Sequence, residues 1–432
     1  MPMRLRDTTP PRWQQVPPGL PDLGPEEAAR RSALCDLLRD EFRLWGYREV
    51  APPTLGYLET FTRGAGAGTA DRLFKLTDRG GELLALRPDF TLPVARLAAT
   101  RLLMAARPLR LAYVGSVFRG QEEGQGRLRE FTQAGVELLG EEAPDADAEV
   151  IALAASCLRR AGTAGAVLHI GHLDFIDDAL QPLPSGLRDE VRDHLYRKAF
   201  VELDALDLPA ALRRLLRALP DLRGPDVLRR ARPLAASPRS ARALEELAGL
   251  MERVREYGVG DLVGIDLGII RDFRYYTGVV FEAYGSGSGY PLLGGGRYDG
   301  LLERFGTPAA ATGFAVGVER LLSTIPDSVT PSVEVIVLGA GDASTRVAAV
   351  RFAGSLRARG LAAVLMFRQG WDETVRDAQA TAVRWVAQVG EDGVRVLDRD
   401  TGREERLSPS GALRAIAGPD GAGQRGAVTR AG

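Results

Sequence analysis

A chain of 432 residues with 45% hydrophobic and 26% charged residues is long enough for a main domain with a sizeable core and a smaller second domain. Its 56 basic and 57 acidic residues leave a formal charge of −1, so no global basic field gathers nucleic acid, though a local patch remains compatible with a neutral total. No stretch approaches the ~18 consecutive apolar residues of a membrane span, and the first residues lack an apolar signal core, so the expectation is a cytoplasmic protein without membrane contact.

Residues 1–24, rich in Pro and Arg, are expected to form an extended lead-in. Helical periodicity runs from about Pro25 to Trp45, with Ala28, Leu34, Leu37, Leu38, Phe42 and Leu44 near one face. Residues 46–53 break it and lead into an extended segment. From 73 to 85, short β-like runs flank the turn Asp78-Arg79-Gly80-Gly81. A helix is expected over 90–106, then buried strands over 109–118 and 131–139, joined by a glycine- and charge-rich loop. The stretch 147–258 reads as a helical insertion, 261–284 as strand, 285–296 as a glycine-rich crossing, and 312–324 as a strand end followed by a helix. A linker over 326–332 precedes a strand–helix alternation, which predicts a small α/β domain over 333–418 with a parallel or mixed sheet. Residues 419–432 read as a disordered tail.

Cys35 and Cys157 sit in apolar, helix-like surroundings and suit buried thiols better than a disulfide. His169, His172 and His194 show no metal-ligand spacing with them, so no metal is expected, and His169 and His172 read as structural or solvent-exposed.

The chemistry concentrates in four stretches. Residues 117–140 form a predicted β-hairpin that places Gln133 and Glu137 on one face, two strand periods apart, with Arg119 near them if the strands pair. Two arginines in its loop suit a phosphate or carboxylate, or simply a solvated loop with a few salt bridges; the hairpin alone leaves both readings open. The others are 266–282, containing Arg271 and Tyr275-Tyr276, then 294–301 (Gly-Gly-Gly-Arg-Tyr-Asp-Gly-Leu), and 312–321, ending Glu319-Arg320-Leu321.

In wording, order and spacing these four stretches resemble the core of class II aminoacyl-tRNA synthetases, specifically histidyl-tRNA synthetase, over about residues 15–325. The hairpin resembles motif 2, residues 313–321 resemble motif 3 with Arg320 at its arginine, and 46–53 sit where the dimerising motif 1 is expected. The resemblance implies an α+β fold: an antiparallel sheet with flanking helices, self-associating through the motif 1 region, plus a small C-terminal α/β domain compatible with an anticodon-binding domain. It also implies a histidine pocket. Asp89, Thr91 and Gln133 would surround the α-amino group, Glu137 and Tyr276 would bond the imidazole, Arg271 would face the carboxylate, and Arg119 and Tyr275 would complete the site. The chemistry is consistent, since an ammonium wants acceptors, an imidazole a donor–acceptor pair, and a carboxylate an arginine.

The adenylation side departs from the family. Where the active enzymes carry Phe-Arg-x-Glu, this chain has Gln121; their Arg-Pro-Glu-Gly-Thr becomes Arg87-Pro88-Asp89-Phe90-Thr91, which sets a large side chain beside the pocket. Their Arg-Gly-Leu-Asp-Tyr-Tyr becomes residues 271–276 with Arg274 in place of the carboxylate, and the arginine after the tyrosines becomes Gly278. Residues 86–96 and 275–278 are similar instead to the synthetase-like regulatory subunits of short-form ATP phosphoribosyltransferase. That resemblance implies a non-catalytic chain, with L-histidine as effector and a separate catalytic chain as hetero-oligomeric partner in the first step of histidine biosynthesis. It implies no cofactor and no catalytic residue. No tRNA is expected, since the C-terminal arginines are matched by Asp372, Glu373, Asp377, Glu391 and Asp392. The retained Arg271 and the C-terminal domain keep a divergent histidyl-tRNA synthetase as the alternative, with another amino-acid-binding paralogue as a third reading.

Overall fold

The computed structural model describes residues 11–65, 70–120, 128–142, 144–270, 275–326, 333–339, 343–367, 370–380 and 383–418. The chain divides into two compact units, 1–327 and 328–432. The first is organised by one eight-stranded sheet. In spatial order its strands are Arg48–Glu49, Leu109–Phe118, Glu130–Leu139, Ala311–Gly317, Leu293–Arg297, Val279–Tyr284, Val167–His172 and Val263–Ile265. The pairs at the two edges are parallel and all others antiparallel.

Period-2 alternation sends neighbouring residues into two different cores. Ala134, Val136 and Leu138 pack beneath the helices Pro25–Leu44, Asp145–Arg160 and Pro238–Glu256, which contribute Leu38, Phe42, Ile151 and Leu247. Leu111, Tyr113, Val117 and Leu139 pack on the opposite face. A three-stranded sheet (Leu55–Tyr57, Leu83–Leu86, Lys75–Thr77) and the helices Leu58–Ala65 and Thr91–Arg101 cover that second face through Ala85 of the sheet, Phe61 of the first helix, and Leu92 and Val94 of the second. The candidate site lies here.

Four parts of the first unit differ from expectation. The stretch 261–284, read as strand, is strand among the described residues only at Val263–Ile265 and Val279–Tyr284. The stretch 147–258 is mostly helical but contains Val167–His172, a strand of the main sheet whose six residues are too short to show periodicity between helices. The glycine-rich crossing ends in a fully buried central strand, Leu293–Arg297. A Cβ on its Gly295 would collide with the Gly313 carbonyl and the Phe281 ring, so glycine is there for close packing and not for a turn. The helix foreseen over 90–106 spans only Thr91–Arg101.

The second unit has a five-stranded mixed sheet in the order Ala363–Met366, Val335–Gly339, Trp385–Gly390, Gly393–Asp398 and Arg403–Leu407. The first three strands are parallel and the last two pairings antiparallel. Those last two strands and the helix Pro409–Ala417 extend the α/β pattern read from sequence. Residues 1–10, most of the 326–332 linker and the 419–432 tail lie outside the described residues. Among the described residues no helix is long and apolar enough to cross a membrane.

Candidate amino-acid-binding site

The strands Leu109–Phe118 and Glu130–Leu139 pair with Gly115 opposite Gln133 and Leu111 opposite Glu137. Gln133 and Glu137 therefore share a face, as their spacing predicts. A loop following Leu83–Leu86 crosses above them. Buried Arg87 pins that loop by donating from Nε to the Ser116 carbonyl (2.8 Å) and from Nη1 to the Pro52 carbonyl (2.9 Å). The loop delivers Asp89 and Thr91, both buried.

Glu137 is the centre, at 1% exposure. Thr91 Oγ1 donates to its Oε1 at 2.8 Å and the Tyr113 hydroxyl to the same oxygen at 3.3 Å, while the Tyr298 hydroxyl donates to Oε2. Glycines make the room: a Cβ on Gly313 would strike Glu137 Oε2, and one on Gly135 would strike the Tyr113 hydroxyl. Burial pushes the Glu137 carboxyl up to about 8, and the charge of Asp89 adds to this; the bonds from Tyr298, Thr91 and Tyr113 pull the other way without prevailing.

Asp89 is equipped differently. Its Oδ1 accepts the Leu92 amide at 3.2 Å, but its buried Oδ2 has no hydrogen-bond partner among the described residues. Burial raises this carboxyl to about 6 against the Leu92 bond and the nearby Arg119 charge. Gln133 Oε1 accepts the Phe90 amide at 3.0 Å. Arg119 donates from Nε to the Pro88 carbonyl at 3.1 Å and lies 5.1 Å above the Phe131 ring. Tyr275 is buried and Tyr276 half-buried, with ring centroids 5.8 and 6.4 Å from that of Tyr298.

The structure thus brings Asp89, Thr91, Gln133, Glu137, Tyr275 and Tyr276 together and sets Arg119 against the loop that carries Asp89. Thr91, expected beside an α-amino group, gives its hydroxyl to Glu137 instead. Arg271, Gln121 and Arg274 lie outside the described residues. Phe90, expected beside the pocket, is 2% exposed; its ring stacks on Tyr113 (4.5 Å, 4°) beneath Arg87 (3.9 Å), so it fills core. Sequence reasoning missed Tyr113 and Tyr298 as partners of Glu137. Strand parity would have found Tyr113, two residues from Leu111 on the same face; Tyr298 belongs to the glycine-rich stretch singled out on other grounds.

On the motif 3 side, the Glu319 carboxylate accepts the Thr132 amide at 2.9 and 3.1 Å. Arg320 donates from Nη1 to the Pro291 carbonyl at 3.1 Å and lies 5.6 Å from the Tyr290 ring centre. Gly278 has φ +75°, a conformation that suits glycine. His172, foreseen only as structural or exposed, is buried, with Nε2 3.0 Å from Glu246 Oε2. Cys35 and Cys157 are free and buried. No group of His, Cys, Asp and Glu among the described residues is arranged to hold a metal ion.

A family model described as histidyl-tRNA synthetase matches residues 19–321. The ATP phosphoribosyltransferase regulatory subunit of Moorella thermoacetica is 42% identical over 381 residues, covering 87% of this chain and 96% of that protein. Its counterpart from Geobacillus kaustophilus is 39% identical, covering 86% and 94%. The chain belongs to this synthetase-like regulatory-subunit family. A crystal structure of an ATP phosphoribosyltransferase regulatory subunit/histidyl-tRNA synthetase from Bacillus halodurans superposes with a TM-score of 0.77 at 36% identity, covering 88% of this chain and all of that one. Histidyl-tRNA synthetase from Nostoc sp. superposes at 0.78 with 21% identity over 93% of this chain and 98% of that one, which bears on the fold alone. The expected class II fold is therefore the fold observed, and both the Moorella and the Geobacillus relatives are named regulatory subunits.

Proposed function

We propose that this chain is a histidine sensor, the non-catalytic regulatory subunit of a short-form ATP phosphoribosyltransferase that feeds histidine levels back on the first step of histidine biosynthesis. The observation that carries the reading is the pair of unequal carboxylates. Asp89 offers a buried oxygen without a hydrogen-bond partner, suited to an ammonium. Glu137 stands in a cage of rotatable hydroxyls that can re-partner around an imidazole N–H. Gln133 and Thr91 would line the ligand between them, Tyr276 would supply a second imidazole partner, and Tyr275 would back it. Arg271 would face the carboxylate, with Arg119 holding the Asp89 loop. A site built from such partners rejects analogues that leave them unpaired.

The absence of adenylation is supported by sequence: Gln121, Arg274 and Gly278 replace residues the active enzymes use. The chain would self-associate through the region of residues 46–53 and assemble with a separate catalytic phosphoribosyltransferase chain. Histidine then biases an equilibrium between active and inhibited assemblies, and the coupling is reciprocal with substrate affinity. Neither tRNA nor a cofactor takes part.

The decisive experiment titrates the purified chain with histidine by calorimetry and assays histidine-dependent exchange of pyrophosphate into ATP. Binding without exchange, together with histidine-sensitive activation of the catalytic chain, is the expected result. Robust exchange would make the chain a divergent synthetase, and absence of histidine binding would remove the sensor reading.

A further inference from the structure

Tyr298 reaches Glu137 from a place held on both sides by charge. Its predecessor Arg297 ends the strand Leu293–Arg297 opposite Thr312, the neighbour of Gly313. Gly313 pairs with Glu137, so Arg297 emerges on the other, helix-covered face of the sheet. There it meets Asp147 in the first turn of Asp145–Arg160. Nε donates to Oδ2 at 3.0 Å, and Nη2 lies 3.0 Å from Oδ1 in an ionic contact without hydrogen-bond alignment. Both side chains are buried, at 6% and 2% exposure.

The third arm of the guanidinium, Nη1, donates to Asp299 Oδ1 at 3.0 Å, and that oxygen also accepts the Ala311 amide at 2.8 Å. Tyr298 itself donates its amide to the Ala311 carbonyl at 2.8 Å. The turn that follows Tyr275-Tyr276 is tied to the same group: the Thr277 amide donates to the Arg297 carbonyl at 2.6 Å, and the Asp299 amide donates to Thr277 Oγ1 at 3.2 Å. Tyr298, which bonds Glu137, and the neighbouring Tyr275-Tyr276 turn are thus tied to one ion cluster on the far side of the sheet.

We propose that Asp147 and Arg297 are positioning residues for histidine recognition. Through Asp299 and Thr277 they hold Tyr298 and the Tyr275-Tyr276 turn at the separation from Glu137 that an imidazole requires. This inference rests on the histidine reading above. Its physical basis is that a buried ion pair adds little stability over a well-packed apolar pair, whereas an arginine whose three nitrogens all face carboxylates has one orientation. What such a pair contributes is direction, and here the direction is passed to the residues immediately beside it in the chain.

The test titrates the full-length chain with histidine and with 1,2,4-triazole-3-alanine, which differs only in the ring. Thr277→Val removes an exposed acceptor without entering the core, and Asp147→Asn removes the buried charge. Glu149→Gln is the control: it lies two residues along the same helix, turned toward Arg110 (2.6 Å) and Tyr47 (2.9 Å). Thr277→Val and Asp147→Asn are expected to weaken histidine binding about tenfold and to narrow the preference between the two rings, as loosened support does at a preorganised site. Glu149→Gln is expected to lower Tm and leave that preference intact. A purely structural role would lower Tm or weaken both ligands equally, so an unchanged preference in folded Thr277→Val and Asp147→Asn overturns the inference. If Asp147→Asn does not fold, Thr277→Val decides alone. A parent chain that binds no histidine overturns the sensor reading and this inference together, whereas a binding parent with unaltered variants overturns this inference only.

Discussion

The two carboxylates of the pocket differ in what already surrounds them. Glu137 is met by three hydroxyls from three elements, Thr91 at a helix start, Tyr113 in a strand and Tyr298 after another. Asp89 has one backbone donor and one idle oxygen. On the proposed reading, the difference separates two recognition tasks. A flat ring with one N–H needs a carboxylate whose neighbours can rotate away and return. A compact ammonium with three donors needs an acceptor left open. Both groups are buried where an isolated charge is costly, and burial raises both carboxyls, that of Glu137 the further.

The sharpest way to break the comparison is Glu137→Gln. With its carboxyl raised to about 8, Glu137 is mostly protonated at neutral pH, and glutamine resembles that resting form. The fold is therefore expected to survive with little change in Tm, while histidine affinity falls roughly 100-fold or more, since a charge-assisted bond in a dry site is lost. In the assembled complex the same variant should retain the catalytic chain and lose inhibition by histidine. Retained sensitivity would mean that the ring is read elsewhere.

Asp89→Asn tests the other end. Histidine affinity should fall about 10- to 100-fold. Imidazole propionate, which lacks the ammonium, should bind the variant and the parent alike. Equal losses for both ligands would show that Asp89 supports the loop rather than the ammonium. Tyr276→Phe comes next. Removing one hydroxyl from a half-buried ring should weaken histidine about tenfold and leave the response to imidazole propionate parallel to it. No loss would place Tyr276 outside the ring-reading group.

How much of this was legible in sequence follows from the range of each interaction. The hairpin strands and the shared face of Gln133 and Glu137 follow from local alternation, and Leu109–Phe118 is found at the predicted bounds. The helix Pro25–Leu44 follows from its own periodicity and proline start. The tyrosine cage does not, because Tyr113, Thr91 and Tyr298 converge only through pairing across up to 161 residues of chain. Leu293–Arg297 was obscured by its glycines, which signal a turn locally and a crowded sheet globally. Val167–His172 was hidden because six residues between helices carry too little pattern. The resemblance to histidyl-tRNA synthetase is what singled out Asp89, Thr91, Gln133 and Glu137, and strand register explains why Gln133 and Glu137 share a face.

The smallest expected effect concerns pH, and it distinguishes the two ends without any mutation. Both carboxyls are raised in the folded chain, so between their ordinary values and the raised ones the folded state holds more protons than the unfolded state. Stability of the unliganded protein should therefore fall as pH rises, from about 4 to 6 through Asp89 and from about 4.5 to 8 through Glu137. Histidine reverses the preference, because an ammonium and an imidazole N–H both favour ionised partners. Above pH 7 the free ligand's imidazole is mostly neutral and Asp89 is already ionised, so the remaining dependence belongs to Glu137. If only the ionised form binds, the competent fraction rises about fivefold between pH 7 and 8, and affinity with it. Calorimetry at these two pH values, in buffers of different ionisation heat, should show tighter binding at pH 8 and proton release at pH 7. The Glu137→Gln variant should show neither. A flat profile in the parent would mean that Glu137 is ionised before histidine arrives, and that the hydroxyls around it offset its burial.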